Sequence, residues 1–286
     1  MINKFNHLLF LLFLFFTTQA YSNPINEINF VGLNNISEKT LLKDMPIKIG
    51  DEYSGALSDR AIQSLFKTEL FSDISITFNQ GALNITFIEN PIIKFFDFKL
   101  DSGSGFSSWI KGEKMLIGNE SLNEMISLSN LSVGKPFTQK KLDELLLSIE
   151  SKYSQSGYYN IVISEIISID SQNRAGIELN IQQGERVKID KFRISGAEMI
   201  SEETLLKLFK IGEADMALFN LFTNKDLFTE VDFSQGIDLM TNKYFDSGYL
   251  DFEINDIKTE LNETKEKISI EIYISEGIQY QLGKVS

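Results

Sequence analysis

The sequence predicts an α+β chain of three tandem domains, each with the element order β-α-α-β-β and a three-stranded sheet covered on one side by two helices. Three recurrences carry that expectation. Phe30-Val31-Gly32 and Arg193-Ile194-Ser195-Gly196 each close a first strand. Ser37-Glu38-Lys39-Thr40-Leu41-Leu42 and Ser201-Glu202-Glu203-Thr204-Leu205-Leu206 then open a helix. Each copy finishes on an alternating strand that runs into Glu89-Asn90-Pro91, Gln183-Gly184-Glu185 or Glu276-Gly277-Ile278. A recurrence of whole units points to an array of small domains rather than to one catalytic domain.

The first unit spans residues 21–91. Ile28, Phe30 and Val31 read as a strand ending at Gly32, a residue able to take the positive φ of a tight turn. Ser37 is the expected N-cap of a helix whose apolar side includes Leu41, Leu42 and Met45. Ile49-Gly50-Asp51 breaks it. A second helix is expected from about Ser58, with Ile62, Leu65 and Phe66 on one face. Ile74, Ile76 and Phe78 alternate with polar residues, Asn79-Gln80-Gly81 supplies a turn, and Leu83, Ile85 and Phe87 alternate again. That is a hairpin with one buried face.

The second unit, residues 92–184, opens on a strand from Ile92 to Leu100. A Gly/Ser-rich stretch from Asp101 to Gly105 and the only tryptophan, Trp109, follow. Residues 101–118 read as a long loop over one end of the domain. Helices are expected over Asn119–Asn130 and Thr138–Ser156, the second with Leu142, Leu145, Leu146, Ile149 and Tyr153 at helical spacing and Gly157 as its stop. Tyr159, Ile161 and Ile163 open the next strand; Ile177, Leu179 and Ile181 form the last.

The third unit, residues 185–277, begins with Val187 and Ile189 and, after a change of parity, Phe192 and Ile194. Its helix from Ser201 precedes an apolar segment, Ala214–Thr229, expected to pack down over its own domain, an exposed docking patch being the alternative. A helix from Phe233 runs to Ser247-Gly248-Tyr249, the counterpart of Ser156-Gly157-Tyr158. The closing hairpin pairs Phe252–Leu261 with Ile268–Ile274. Joints of two or three residues predict stiffly related neighbours.

Residues 1–20 read as a secretory signal: Lys4, a nine-residue apolar block from Leu8 to Phe16, and a small-residue cleavage site at Thr18-Gln19-Ala20. The block is well short of the roughly 20 residues a membrane-crossing helix needs. Export without any cysteine suits a bacterial periplasm. Formal charge is −13, which repels nucleic acid and anionic headgroups and otherwise serves solubility. The only histidine is His7, inside the signal. The exported part therefore lacks the usual zinc sites, the Ser-His and Cys-His nucleophiles and the commonest general base. Glu202-Glu203 and Asp143-Glu144 read as solvated helix faces, as does Ser151-Lys152. No catalytic, metal or cofactor site is expected.

The strand ending in Val-Gly or Ser-Gly, the Ser-Gly-Tyr before the second strand and Glu276-Gly277-Ile278-Gln279-Tyr280 resemble the POTRA domains of the BamA family, outer-membrane proteins that insert other β-barrel proteins. Met45-Pro46-Ile47-Lys48-Ile49-Gly50-Asp51 and Leu65-Phe66-Lys67-Thr68-Glu69-Leu70-Phe71 are similar to that family's first POTRA domain. Two departures stand out. Leu100-Asp101-Ser102-Gly103 replaces the clean strand-end glycine in the second unit. The family carries five such domains and a barrel, whereas residues 278–286 resemble only the start of a fourth unit, so the chain reads as an N-terminal fragment.

The resemblance implies that first and third strands pair and that the second lies at an edge, where an extended client segment can add as another strand. The edges are Asp73–Phe78, Tyr159–Ser168 and Phe252–Leu261, with Ile74, Ile76, Ile161, Ile163, Phe252 and Ile254 as edge residues. Implied partners are unfolded outer-membrane proteins and accessory lipoproteins, at the periplasmic face of the outer membrane. Lipoprotein docking on the family's third domain maps to Phe209, Ile211, Thr259 and Leu261, the first two reading equally as core residues. A two-partner secretion or translocation-and-assembly transporter, or a freestanding periplasmic scaffold, is the alternative.

Overall fold

A computed structural model describes residues 23–102, 115–209, 227–281 and 283. The signal segment, Trp109 with its neighbours 103–114, Ile211 with most of Ala214–Thr229, and the last part of the tail lie outside the described residues. The chain divides into two compact units between Glu89 and Asn90. One domain makes up the first unit and two make up the second.

In the first unit β1 (Glu27–Val31), α1 (Glu38–Asp44), α2 (Gly55–Phe66), β2 (Phe71–Asn79) and β3 (Ala82–Glu89) follow the expected order. The sheet runs β1-β3-β2, with β1 parallel and β2 antiparallel to β3. Leu83, Ile85 and Phe87 put the inward parity of the central strand in the core. The Ser37 hydroxyl accepts the Thr40 N–H at 3.3 Å and so caps α1. Gln80 and Gly81 both have positive φ, 49° and 86°, as a two-residue type I′ hairpin requires.

The second helix departs from expectation. It starts at Gly55, because Ser54 is extended and its hydroxyl accepts the Leu57 N–H. The buried face is Leu57, Ala61 and Leu65; Ile62 is half-buried and Phe66 is exposed.

The second unit repeats the plan twice. Its first domain contains β4 (Ile92–Asp101), α3 (Asn119–Leu128), α4 (Gln139–Gln155), β5 (Val162–Ile169) and β6 (Arg174–Gln182). Its second contains β7 (Lys188–Ser195), α5 (Glu202–Leu206), α6 (Glu230–Asp246), β8 (Glu253–Leu261) and β9 (Lys267–Ser275). The sheets run β4-β6-β5 and β7-β9-β8. Thr138 caps α4 and Thr229 caps α6, which therefore begins at Glu230 rather than Phe233. The parity change in the third unit is a ladder irregularity between Ile189 and Lys191, which returns Phe192 and Ile194 to the core side. Tyr153 and Tyr244, fully buried on the long helices, meet Tyr158 and Tyr249 edge-on at 5.7 and 5.9 Å.

The strand-end glycines are required by close approach. Gly32 and Gly196 have φ of +89° and +97°, and a Cβ on either would lie 2.2 Å from the carbonyl oxygen of Phe87 or Ile274. In the second domain the first strand runs on instead, and the Gln183 N–H donates to Asp101 O at 2.9 Å. No such glycine is needed there.

A buried acceptor follows the third strand's inward parity in every domain. Glu89 accepts the N–H groups of Asn34, Asn35 and Ile36 at 2.8, 2.9 and 3.1 Å. Gln183 accepts that of Leu116 at 2.6 Å. Glu276 accepts those of Met199 and Ile200 and, at 2.7 Å, the Tyr244 hydroxyl. Each ties down the segment that leads into the domain's first helix. Burial works against the charged form of Glu276. The Tyr244 hydroxyl and the Met199, Glu198 and Ile200 N–H groups outweigh it, leaving the carboxyl below its ordinary 4.5.

A folded value below the unfolded one contributes stability that is complete above the unfolded value and lost as pH falls through the folded one. Acid titration monitored by Tyr244 fluorescence or NMR should therefore show the third domain losing stability as pH drops below 4.5. Glu276→Gln should remove that contribution to the slope, and Glu276→Ala should cost about 1.5–3 kcal/mol at neutral pH in urea unfolding.

Candidate functional site

Each sheet has two edges, and the structure treats them differently. The second strand lies at one edge, as expected from the sequence, and the central third strand leaves the first strand at the other. That first-strand edge is occupied where it begins. The N–H of Ile25 donates to Asp51 O and Gly50 donates back to Ile25 O. Ile93 does the same with Lys135 O and Gly134. In the third domain Phe228 donates to Val187 O, and Lys188 forms a bridge with Leu227. In all three, the chain preceding the second helix closes this edge.

On the outer sides of β2, β5 and β8, no backbone partner from the same unit is found among the described residues. Among the described residues these strands leave N–H and C=O groups on that side without a backbone partner, the Ile257 N–H donating instead to Asp256 Oδ1 at 2.9 Å. Inward residues opposite the central strand are Ile74, Ile76 and Phe78 on β2 and Ile163, Glu165 and Ile167 on β5. On β8 they are Ile254, Ile257, Thr259 and Leu261.

Two expected edge residues fall outside the strands. Ile161 precedes β5. Phe252 precedes β8 and is buried in the third core, stacked on Tyr244 with centroids 4.2 Å apart. Alternation continues through both, but the antiparallel ladder begins after them. Of the docking residues, Thr259 is exposed and Leu261 is half-buried against the third core. Phe209 is 1 % exposed and lies edge-on to Phe192 at 4.8 Å, so it supports that core without offering surface. Ile211 lies outside the described residues.

The outer face of the third sheet carries a row of alternating charge. Arg193 and Lys258 flank Glu271 from the two neighbouring strands, and the Lys258 ammonium lies 4.8 Å from the Tyr273 ring centroid. The Tyr273 hydroxyl holds the Glu271 carboxyl below its ordinary range, assisted by Ser195 and the two cations. Among the described residues no group of three or more His, Cys, Asp or Glu is placed to hold a metal. No helix there is long and apolar enough to cross a membrane.

The Ser-Gly-Tyr turn builds the joint between second and third domains. The Gly157 carbonyl accepts the Val187 N–H at 2.7 Å, and the Tyr159 hydroxyl donates to Glu230 at 3.2 Å. Arg186 lies over the Tyr158 ring at 5.3 Å. The third domain repeats the acceptor: Gly248 O takes the Tyr280 N–H at 2.8 Å, beside a Gln279 side-chain bond to Ser247 O at 2.9 Å.

These features define a class: tandem α+β domains, each with a three-stranded sheet whose second strand lies at an edge, the second and third of them joined through a backbone bond. The family model described as "POTRA: Surface antigen variable number repeat" matches residues 24–90, 110–184 and 187–277, and the chain belongs to that family. It is similar to the "Outer membrane protein assembly factor BamA" of Neisseria meningitidis serogroup B, at 28 % identity over 92 % of this chain and 31 % of that protein. The protein of the same name from Buchnera aphidicola is 27 % identical over 91 % of this chain and 40 % of its own length. The chain thus spans about a third of the first and two fifths of the second. The solved N-terminal domain of Omp85 from Thermosynechococcus elongatus aligns with a TM-score of 0.43 at 12 % identity, covering 88 % of this chain and 96 % of that one.

Gly157 has φ of +86°, and a Cβ there would lie 2.0 Å from the Phe228 carbonyl oxygen. Gly157→Ala should cost about 1–3 kcal/mol and loosen the joint. NMR relaxation should show the second and third domains tumbling more independently, with each sheet intact; unchanged tumbling would show that this joint does not depend on the turn.

Proposed function

We propose that this chain is the periplasmic POTRA region of an outer-membrane β-barrel assembly factor. It holds unfolded barrel precursors, and accessory lipoproteins, by taking extended segments as an added strand beside β2, β5 or β8. The observation that carries this reading is the asymmetry of the sheets: the first-strand edge is closed at its start in every domain, and the second-strand edge has no backbone partner from its own unit among the described residues. Backbone pairing at an edge is tolerant of side-chain identity, which suits unrelated clients. Supporting the same reading are the names of the relatives, the secretory signal read in residues 1–20 and an exported part without His or Cys. On this reading the protein works at the periplasmic face of the outer membrane, needs no cofactor and catalyses no reaction. On the same reading the lipoprotein contact, taken over from the resemblance at Thr259 and Leu261, falls on β8, where Thr259 is exposed.

The test is site-specific photo-crosslinking to an unfolded barrel precursor. Probes at Thr77, Ser164 and Thr259, on the open edges, should capture it several-fold better than probes at Gln63, Glu144 and Asp238 on exposed helix faces. Equal capture from both sets would overturn edge addition. Leu261→Arg should abolish lipoprotein capture while leaving precursor capture at β2 and β5; unchanged lipoprotein capture by a folded variant would remove β8 from that role.

A further inference from the structure

Counting back from the buried acceptors puts the three central strands in one frame. Phe87, Ile181 and Ile274 are equivalent, as are Ile85, Leu179 and Ile272, all buried. Their partners on the open edges can then be compared position by position. Opposite the first set stand Ile74, Ile163 and Ile254. Opposite the second stand Ile76, Glu165 and Ile257. One edge therefore carries a carboxylate at a position where the other two carry isoleucine.

Glu165 lies on the helix-covered face, because directly opposed residues of an antiparallel pair share a face and its partner Leu179 is 2 % exposed. Ile163 and Ile167, on either side, are half-buried against the second core. Glu165 itself is exposed, and its carboxylate has no hydrogen-bond or ion-pair partner among the described residues. An inward-pointing charge on an edge strand opposes pairing, since an added strand would carry an apolar residue past it and strip its water. A cation on the incoming strand removes the penalty and adds a favourable cross-strand pair.

We infer that Glu165 is a specificity determinant of the second domain's edge. It admits extended segments that place a Lys or Arg opposite it, between apolar residues that cover Ile163 and Ile167. The β2 and β8 edges, with Ile76 and Ile257 at that position, take segments that are apolar throughout. This rests on the edge-addition reading and gives each edge a different preference.

The test uses the whole chain and three short peptides that alternate Thr and Val, the central Val being kept or replaced by Lys or Glu. Hydrogen exchange of the β2, β5 and β8 amides reports each edge separately. The Lys peptide should protect β5 at about three- to tenfold lower concentration than the Glu peptide. Glu165→Lys should reverse that order. Glu165→Ile should make the all-Val peptide the best ligand of β5, as it is of the other edges. Equal protection of β5 by all three peptides would overturn the role of Glu165 and leave edge addition standing. Failure of every peptide to protect any of the three strands would overturn edge addition itself.

Discussion

Each of these domains closes on one buried oxygen. The segment leading into the first helix carries backbone N–H groups that would be costly to bury without a partner, and the side chain just past the central strand supplies the acceptor. Its chemistry follows its depth. Glu89 and Glu276 keep 6 % and 9 % of their surface and are carboxylates; Gln183 is at 0 % and is a neutral amide. A charge is tolerated where several donors converge on it, and Glu276 has both backbone N–H groups and the Tyr244 hydroxyl. Around that anchor the first helix, the loop and the end of the sheet take up fixed positions. The same residues mark the repeat in the sequence because every copy has to solve the same problem of unpaired donors.

A sheet organised around its third strand has edges of two kinds. The parallel edge abuts the chain just before the second helix, which must pass close by to reach its N-cap, so backbone bonds at Ile25, Ile93 and Val187 come with the fold. Nothing in the connectivity does this for the second strand, which meets its neighbour through a hairpin and faces away from both crossings. Its openness among the described residues follows from topology. On the edge-addition reading, selectivity is then left to side chains at a few register positions.

Periodicity and turn chemistry exposed most of this in the sequence. Alternation located the central strands, and the parity change after Ile189 is the ladder irregularity itself. Helix starts were harder to read. The N-caps Ser54 and Thr229 stand well ahead of the first strongly apolar face, so the onset of periodicity marked the helices late. Ile161 and Phe252 keep the rhythm of a strand, but pairing begins only past them, at Val162 and Glu253, and where a ladder starts depends on the partner strand. Phe209 could be read as surface or core until packing against Phe192 decided it. Glu165 was available in outline, since it interrupts the parity of Tyr159, Ile161 and Ile163. Its meaning depends on register, which a single strand does not reveal.

The joint at Gly157 has a bearing on how such a chain changes over evolutionary time. Its central bond runs from one main-chain atom to another, and Gly248 with Tyr280 repeats it. An attachment written in backbone atoms survives almost any divergence of the surrounding side chains, provided the turn keeps its glycine. A copied domain would bring this bond with it, leaving only contacts such as Tyr159 with Glu230 and Arg186 with Tyr158 to be matched. The number of units becomes adjustable in a way that their internal architecture is not.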